Sequence, residues 1–197
     1  MDLNKFYAAS GMASAAVFMT LWITAAYIDS NWELGYNALS DLGTCGNHAA
    51  EIAFNMACAV AGLFGVMFGI YVLNRKGIMH YTGVFMILSS FGLTGIGVIN
   101  ESYGDPHAWV AMSYAFFGAL SMVLSMISDY RAGRRKYAVA TLVLLLIVVG
   151  MQTTQDFTLY EPVDVTCFCA WAALQSFKYL MLEIHGTRAQ EPDNIDA

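Results

Sequence analysis

The sequence is short of charge. Only 12% of its 197 residues are Asp, Glu, Lys or Arg, against 58% hydrophobic, and the mean hydropathy is +0.54. A soluble domain carries about twice that charged fraction, so water is excluded as the solvent for most of this chain. Basic residues are scarcer than acids. Nine Lys and Arg face fifteen Asp and Glu, giving a net charge of −6 and a pI near 5.0. Phosphate contacts need clustered Lys and Arg, so nucleic acid is excluded as a partner. The four cysteines (Cys45, Cys58, Cys167, Cys169) show no CxxC spacing, which removes a Cys-rich zinc site and a thioredoxin-type motif. No cleavable leader is expected. One Lys precedes an apolar run as long as a true span, without a small-residue cleavage site, so that run is expected to stay as the first helix.

What is present is apolar sequence in long blocks. They predict an all-α polytopic membrane protein, a bundle of six spans over residues 8–28, 48–73, 78–100, 107–128, 137–155 and 161–184. A run of about 20 apolar residues crosses a ~30 Å hydrocarbon core. Pro106 suits the first turn of the fourth span, and Glu161-Pro162 the start of the sixth. The spans and short loops take up residues 1–186 as one membrane domain. Residues 187–197 read as a polar cytoplasmic tail, disordered beyond its first residues.

Lys5, Arg75, Lys76, Arg131, Arg134, Arg135, Lys136, Lys178 and Arg188 all fall on one side of the six-span arrangement. The basic side is the cytoplasmic one, so a multi-pass cell-membrane protein with both termini in the cytoplasm is expected. Lys178, near the inner end of the sixth span, is expected to snorkel to that interface. Trp22, Tyr27 and Trp32 suit an outer aromatic belt.

Acids collect on the other side. Residues 37–51, NALSDLGTCGNHAAE, hold Ser40, Asp41, Cys45, Asn47, His48 and Glu51 without a Lys or Arg. Helical spacing places His48, Glu51, Asn55, Cys58 and Gly62 on one stripe, Ser90, Thr94, Gly97 and Glu101 on another. His107, Tyr114, Gly118, Ser121 and Ser125 share a face, Gln152 and Asp156 sit at i, i+4, and Glu161, Asp164, Phe168, Trp171, Gln175 and Lys178 line the sixth span. An acid facing lipid at mid-bilayer costs at least ~2.5–3.5 kcal/mol, so the stripes are expected to meet in a polar chamber near the outer surface. Asp29, Glu33 and Asp105 read as solvated loop residues. Gly65-xxx-Gly69, Gly92, Gly95, Gly97, Ser121 and Ser125 read first as packing residues.

From NALSDLG onward the chain resembles the six-helix membrane proteins grouped as domain of unknown function 998. The likeness continues at FNMACAVAGLFGVMFGIYVL, at GVINESYGDPHAWVAMSYAFFGAL with Glu101, His107 and Phe116-Phe117, and at LYEPVDVTCFCAWAALQSFK with Glu161. Pro162 after Glu161 departs from that pattern, which places Pro first. The resemblance implies the six-helix architecture and carries no activity with it.

Four readings of the acid and histidine cluster follow. The first is a metal-dependent intramembrane hydrolase acting on a lipid or lipid-linked substrate. In it His48, Glu51, His107 and Glu161 hold zinc or another divalent cation. Ser40, Asp41, Glu101 and Asp164 carry the catalytic roles: a carboxylate as general base, and Ser40-Asp41 on the polarised oxygen. The second is a non-catalytic binding or sensing protein whose carboxylates hold a cation or an amine-bearing head group. The third is a small cation-coupled transporter, against which stand only six spans and no inverted repeat. The fourth makes the cluster a hydrogen-bonded structural plug. Membrane lipids are the partners in common. Cys45 is a disulfide candidate with Cys167 or Cys169 if the loop dips inward, although free buried thiols packing as small apolar groups are expected first.

Overall fold

A computed structural model describes residues 2–154 and 156–186. Six helices form the molecule: α1 Leu3–Ile28, α2 His48–Leu73, α3 Ile78–Val98, α4 Asp105–Arg131, α5 Arg135–Gln152 and α6 Phe157–Ile184. All six are long and apolar enough to cross a membrane. Among the described residues there is no strand. Each helix packs on its neighbours in the chain, and α1 closes the ring against α6.

Small residues let these helices approach without a hydrophobic driving force between them. A Cβ added at Gly92 would lie 2.7 Å from the Tyr114 amide nitrogen and 2.9 Å from the Val110 carbonyl, so α3 and α4 meet backbone to backbone. At Gly69 the added atom would meet Ile87 at 2.7 Å. Ser121 and Ser125 return their hydroxyls to the carbonyls of Phe117 and Met122 at 3.0 and 2.9 Å, and Ser125 also accepts the Trp171 indole N–H at 3.0 Å.

The helices start and stop under local control, in places not where expected. Asp156 caps α6 by accepting the Thr158 amide at 3.2 Å, so α6 begins at Phe157, a turn before Glu161, and Pro162 lies inside the helix. A proline early in a helix forfeits one backbone hydrogen bond, a loss the first turns tolerate best. Asp156 therefore does not continue α5, which ends at Gln152; Gln155 lies outside the described residues. α1 starts five residues early, at Leu3, because Asp2 caps it through the Asn4 amide. Arg188 and the 187–197 tail also lie outside the described residues.

The expectation for Lys178 is overturned. Its side chain is 1% exposed and donates to both carboxylate oxygens of Asp129, itself 0% exposed, at 2.8 and 2.9 Å. Arg134 Nε reaches Asp129 Oδ1 at 2.7 Å, and Gln175 Nε2 reaches Oδ2 at 3.2 Å. Lys178 also bonds the Gln175 side-chain oxygen. Snorkelling loses here because a buried carboxylate sits on the next helix but one. Beside it Arg75 pairs with Glu183 at 2.6 Å, and the Tyr71 hydroxyl donates to the same carboxylate at 2.8 Å. These bridges tie α2, α4, α5 and α6 together at the end that carries the basic residues.

Candidate functional site

The opposite end is covered by the α1–α2 connection. Its centre, Ser40–Gly43, is a single 3₁₀ turn, with Ser40, Leu42 and Gly43 buried. Asp41 fixes the turn by accepting the Ala38 amide at 2.9 Å, while the Trp32 indole donates to the Ala38 carbonyl at 2.8 Å. Asn55 Nδ2 on α2 holds the Gly43 carbonyl at 3.2 Å, and a Cβ at Gly43 would sit 2.9 Å from Asn55 Oδ1. Thr158 on α6 donates to the Gly35 carbonyl at 2.8 Å. Trp32 is therefore a lid residue, edge-on to Trp22 at 6.2 Å, and not part of a membrane-interface belt. Tyr27, 90% exposed, is placed for such a belt.

Glu161 fastens the lid to α6. Its Oε2 accepts the backbone amides of Leu39 at 2.7 Å and Ser40 at 3.3 Å. A carboxylate accepting backbone N–H groups makes bonds roughly twice as strong as neutral ones. One helical turn on, Asp164 accepts Gln152 Nε2 at 2.5 Å through Oδ2. Its Oδ1 is buried and has no hydrogen-bond partner among the described residues.

Beneath the lid lies a cavity of about 270 Å³. Leu39 forms its roof, Glu161 and Asp164 one wall, and Phe18, Phe54 and Phe168 much of the rest. The expected polar chamber is thus corrected: the space is mainly apolar, with two carboxylates, Gln152 and two tyrosines as its polar points. The reason is geometric. The polar stripes of α2 and α3 are spent on each other and on the lid, as Gly62 packed against Ser90 and Thr94 shows. Among the described residues only α6 delivers acids to the cavity, and no Lys, Arg or His lines it.

The predicted site residues divide into three groups. Ser40, Asp41, Glu101 and His107 gather at the outer edge of the lid, where the short turn Glu101–Tyr103 meets it. Loss of solvent raises the Glu101 carboxyl above its ordinary value, and the neighbouring Asp41 carboxylate raises it further, with His107 and Ser40 pulling back. His107 Nδ1 lies 2.7 Å from the Ile99 carbonyl, which assigns Nδ1 as the donor and leaves Nε2 as the acceptor of the neutral ring. Glu161 and Asp164 face the cavity. His48 and Glu51 stand apart from both groups. His48 is 95% exposed and pairs with Glu51 at 3.2 Å, and Glu51 also accepts the Gly46 amide at 2.8 Å. His48, Glu51, His107 and Glu161 therefore do not fit a common metal ion, and among the described residues no three His, Cys, Asp or Glu are grouped to hold one.

Two further expectations change. Asp29 is 4% exposed, accepts the Asn31 amide at 3.2 Å and lies against Cys45, so it is not a solvated loop residue. Burial, with Asp29 adding to it, raises the Cys45 thiol above its ordinary value. All four cysteines are free thiols. Asp129 went unnoticed in the sequence, although an acid at the basic end of a span is a usable signal for a buried partner.

A six-helix membrane bundle with a tethered lid over an acid-walled apolar cavity is the class of protein this structure defines. The family model described as "Protein of unknown function (DUF998)" matches residues 12–178, and the chain belongs to that family. No curated protein and no solved structure matches it.

Proposed function

We propose that this protein is a membrane-embedded binding protein, its cavity taking a ligand with a cationic amine group against Glu161 and Asp164. One observation carries the reading. A largely apolar space of about 270 Å³ is walled by two carboxylates one helical turn apart and, among the described residues, by no basic one. Sites of this kind combine apolar walls with a few convergent polar groups. A buried acceptor left without a partner costs about 1–3 kcal/mol, and Asp164 Oδ1 is such an acceptor. An ammonium donates three hydrogen bonds and accepts none, which suits that oxygen. On the distribution of Lys and Arg, the lid faces away from the cytoplasm and both termini lie inside.

The test is binding of butylamine, with butanol as the neutral control, to protein in lipid nanodiscs. Butylamine is expected to bind, with Glu161→Gln and Asp164→Asn each weakening it tenfold or more. Equal binding of butanol, or variants that bind like wild type, would overturn the reading.

A hydrolase is the second reading, and His107 is the observation that favours it. Its Nδ1 bond to Ile99 orients the ring as a metal ligand or general base would be oriented. Ser40, Asp41 and Glu101 supply the neighbouring oxygen groups. A divalent cation would need a ligand set other than the four residues expected from sequence. Stoichiometric zinc that is lost on His107→Ala would move the assignment to this reading.

A further inference from the structure

The cavity opens sideways, and this bears on what fills it. α4 and α6 are 27 and 28 residues long, whereas α5 between them has 18. At 1.5 Å per residue α5 is roughly 13 Å shorter than α4. α5 begins four residues after α4 stops at the basic end, and its last residue, Gln152, bonds Asp164, seven residues into α6. The shortfall therefore lies mainly at the lid end. On the basic side of the molecule α4 and α6 are bolted together by Asp129–Lys178 and Ser125–Trp171, and at the cavity by Phe168 packed on Gly118 and Tyr114. Among the described residues, no hydrogen bond, ion pair or ring contact joins the part of α4 before Tyr114 to α6.

The residues along this slot have two faces. Met112 and Ala115 on α4, Gln152 at the end of α5 and Phe157 on α6 all line the cavity, and all four are exposed, Met112 by 60%. The bond of Gln152 on α5 to Asp164 on α6 borders the slot without crossing it. The roof, by contrast, is tied to α2 and α6 by Asn55, Thr158 and Glu161. The cavity is thus better closed toward the aqueous side than toward the bilayer.

We propose that the site is loaded from the membrane through the slot between α4 and α6, and that its ligand is a long-chain amphiphile with an amine head group. The proposal rests on the amine-binding reading above and adds the ligand's chain and its route. Pockets that enclose a drug-sized ligand run from about 300 to 1,000 Å³, so the cavity takes the head group and the first part of a chain. The remainder lies in the slot among Met112, Ala115 and Phe157, where each buried CH₂ contributes about 0.8 kcal/mol.

The experiment uses dodecylamine bearing a diazirine at mid-chain and, separately, butylamine, both on the full chain in nanodiscs of neutral lipid. In wild-type protein, photolabelling is expected on Met112, Ala115 or Phe157; labelling confined to the lid would overturn the route. Ala115→Trp, at an exposed position of α4, is expected to reduce dodecylamine binding at least tenfold more than it reduces butylamine binding; equal losses of the two would overturn the route. If the substitution leaves both amines unaffected, the slot is refuted and the amine site stands. If neither amine binds wild-type protein, the amine site itself falls, and the route with it.

Discussion

Lys178 Nζ sits 2.8 and 2.9 Å from the two oxygens of Asp129, both side chains enclosed by the bundle. The pair joins α4 to α6 at the end remote from the lid, and Arg134 adds a second cation on the same carboxylate. Neither charge can be relieved by solvent, so each depends on the other.

Removing the carboxylate is therefore expected to be worse than removing the lysine. Asp129→Asn leaves Lys178 and Arg134 facing each other, and breaking a buried pair in this way costs about 3–5 kcal/mol. Lys178→Met leaves Asp129 its Arg134 bond and is expected to cost less. The double variant Asp129→Asn/Lys178→Met should recover part of the Asp129→Asn loss. Denaturant unfolding of all three in detergent measures the order.

Glu161→Gln should loosen the lid without unfolding the bundle. The neutral amide oxygen still accepts the Leu39 and Ser40 amides, but a charge-assisted bond becomes an ordinary one. Hydrogen exchange at those two amides is expected to quicken about tenfold, the equivalent of ~1.4 kcal/mol, within the range such bonds span. Asp164→Asn leaves both lid bonds in place and should leave that exchange unchanged.

Glu101 makes stability depend on pH with a definite sign. Its folded pKa lies above the ordinary 4.5, raised by loss of solvent and then by Asp41. Between the two values the folded chain keeps a proton that the unfolded chain has released, so stability falls as pH rises through that window. The contribution is complete below 4.5. Thermal midpoints measured from pH 4 upward should show the decline in wild type and a flatter profile in Glu101→Gln.

Two glycines separate packing from propensity. Gly92→Ala forces a methyl against the α4 backbone and should cost about 1–3 kcal/mol as overpacking does. Gly150→Ala meets nothing within 4 Å; helix propensity then favours alanine by up to about 1 kcal/mol. Unfolding of the two variants under the same conditions gives the comparison.

The sequence by itself determined the architecture. Six apolar blocks with too little charge for water admit only helices that satisfy their own backbone groups in lipid. It also determined which residues gather near the lid, because Ser40-Asp41, Glu101, His107 and Glu161 all lie at helix ends on the side without Lys or Arg. The stripe on α6 was legible in full, since a helix fixes which side chains share a face, and Glu161, Asp164, Phe168, Trp171, Gln175 and Lys178 all turn inward. What each inward side chain meets was not legible. That is a long-range matter: Leu39 lies 122 residues from Glu161, and Asp129 lies 49 from Lys178. Only the tertiary structure decided that Lys178 is a buried partner rather than a snorkelling cation. It likewise separated His48 and Glu51 from the other predicted ligands, because α2 turns that edge of its first turn to solvent. And it made the chamber an apolar cavity with two acids. The polar stripes of α2 and α3 were consumed in packing on each other, and α5 was too short to close the gap between α4 and α6.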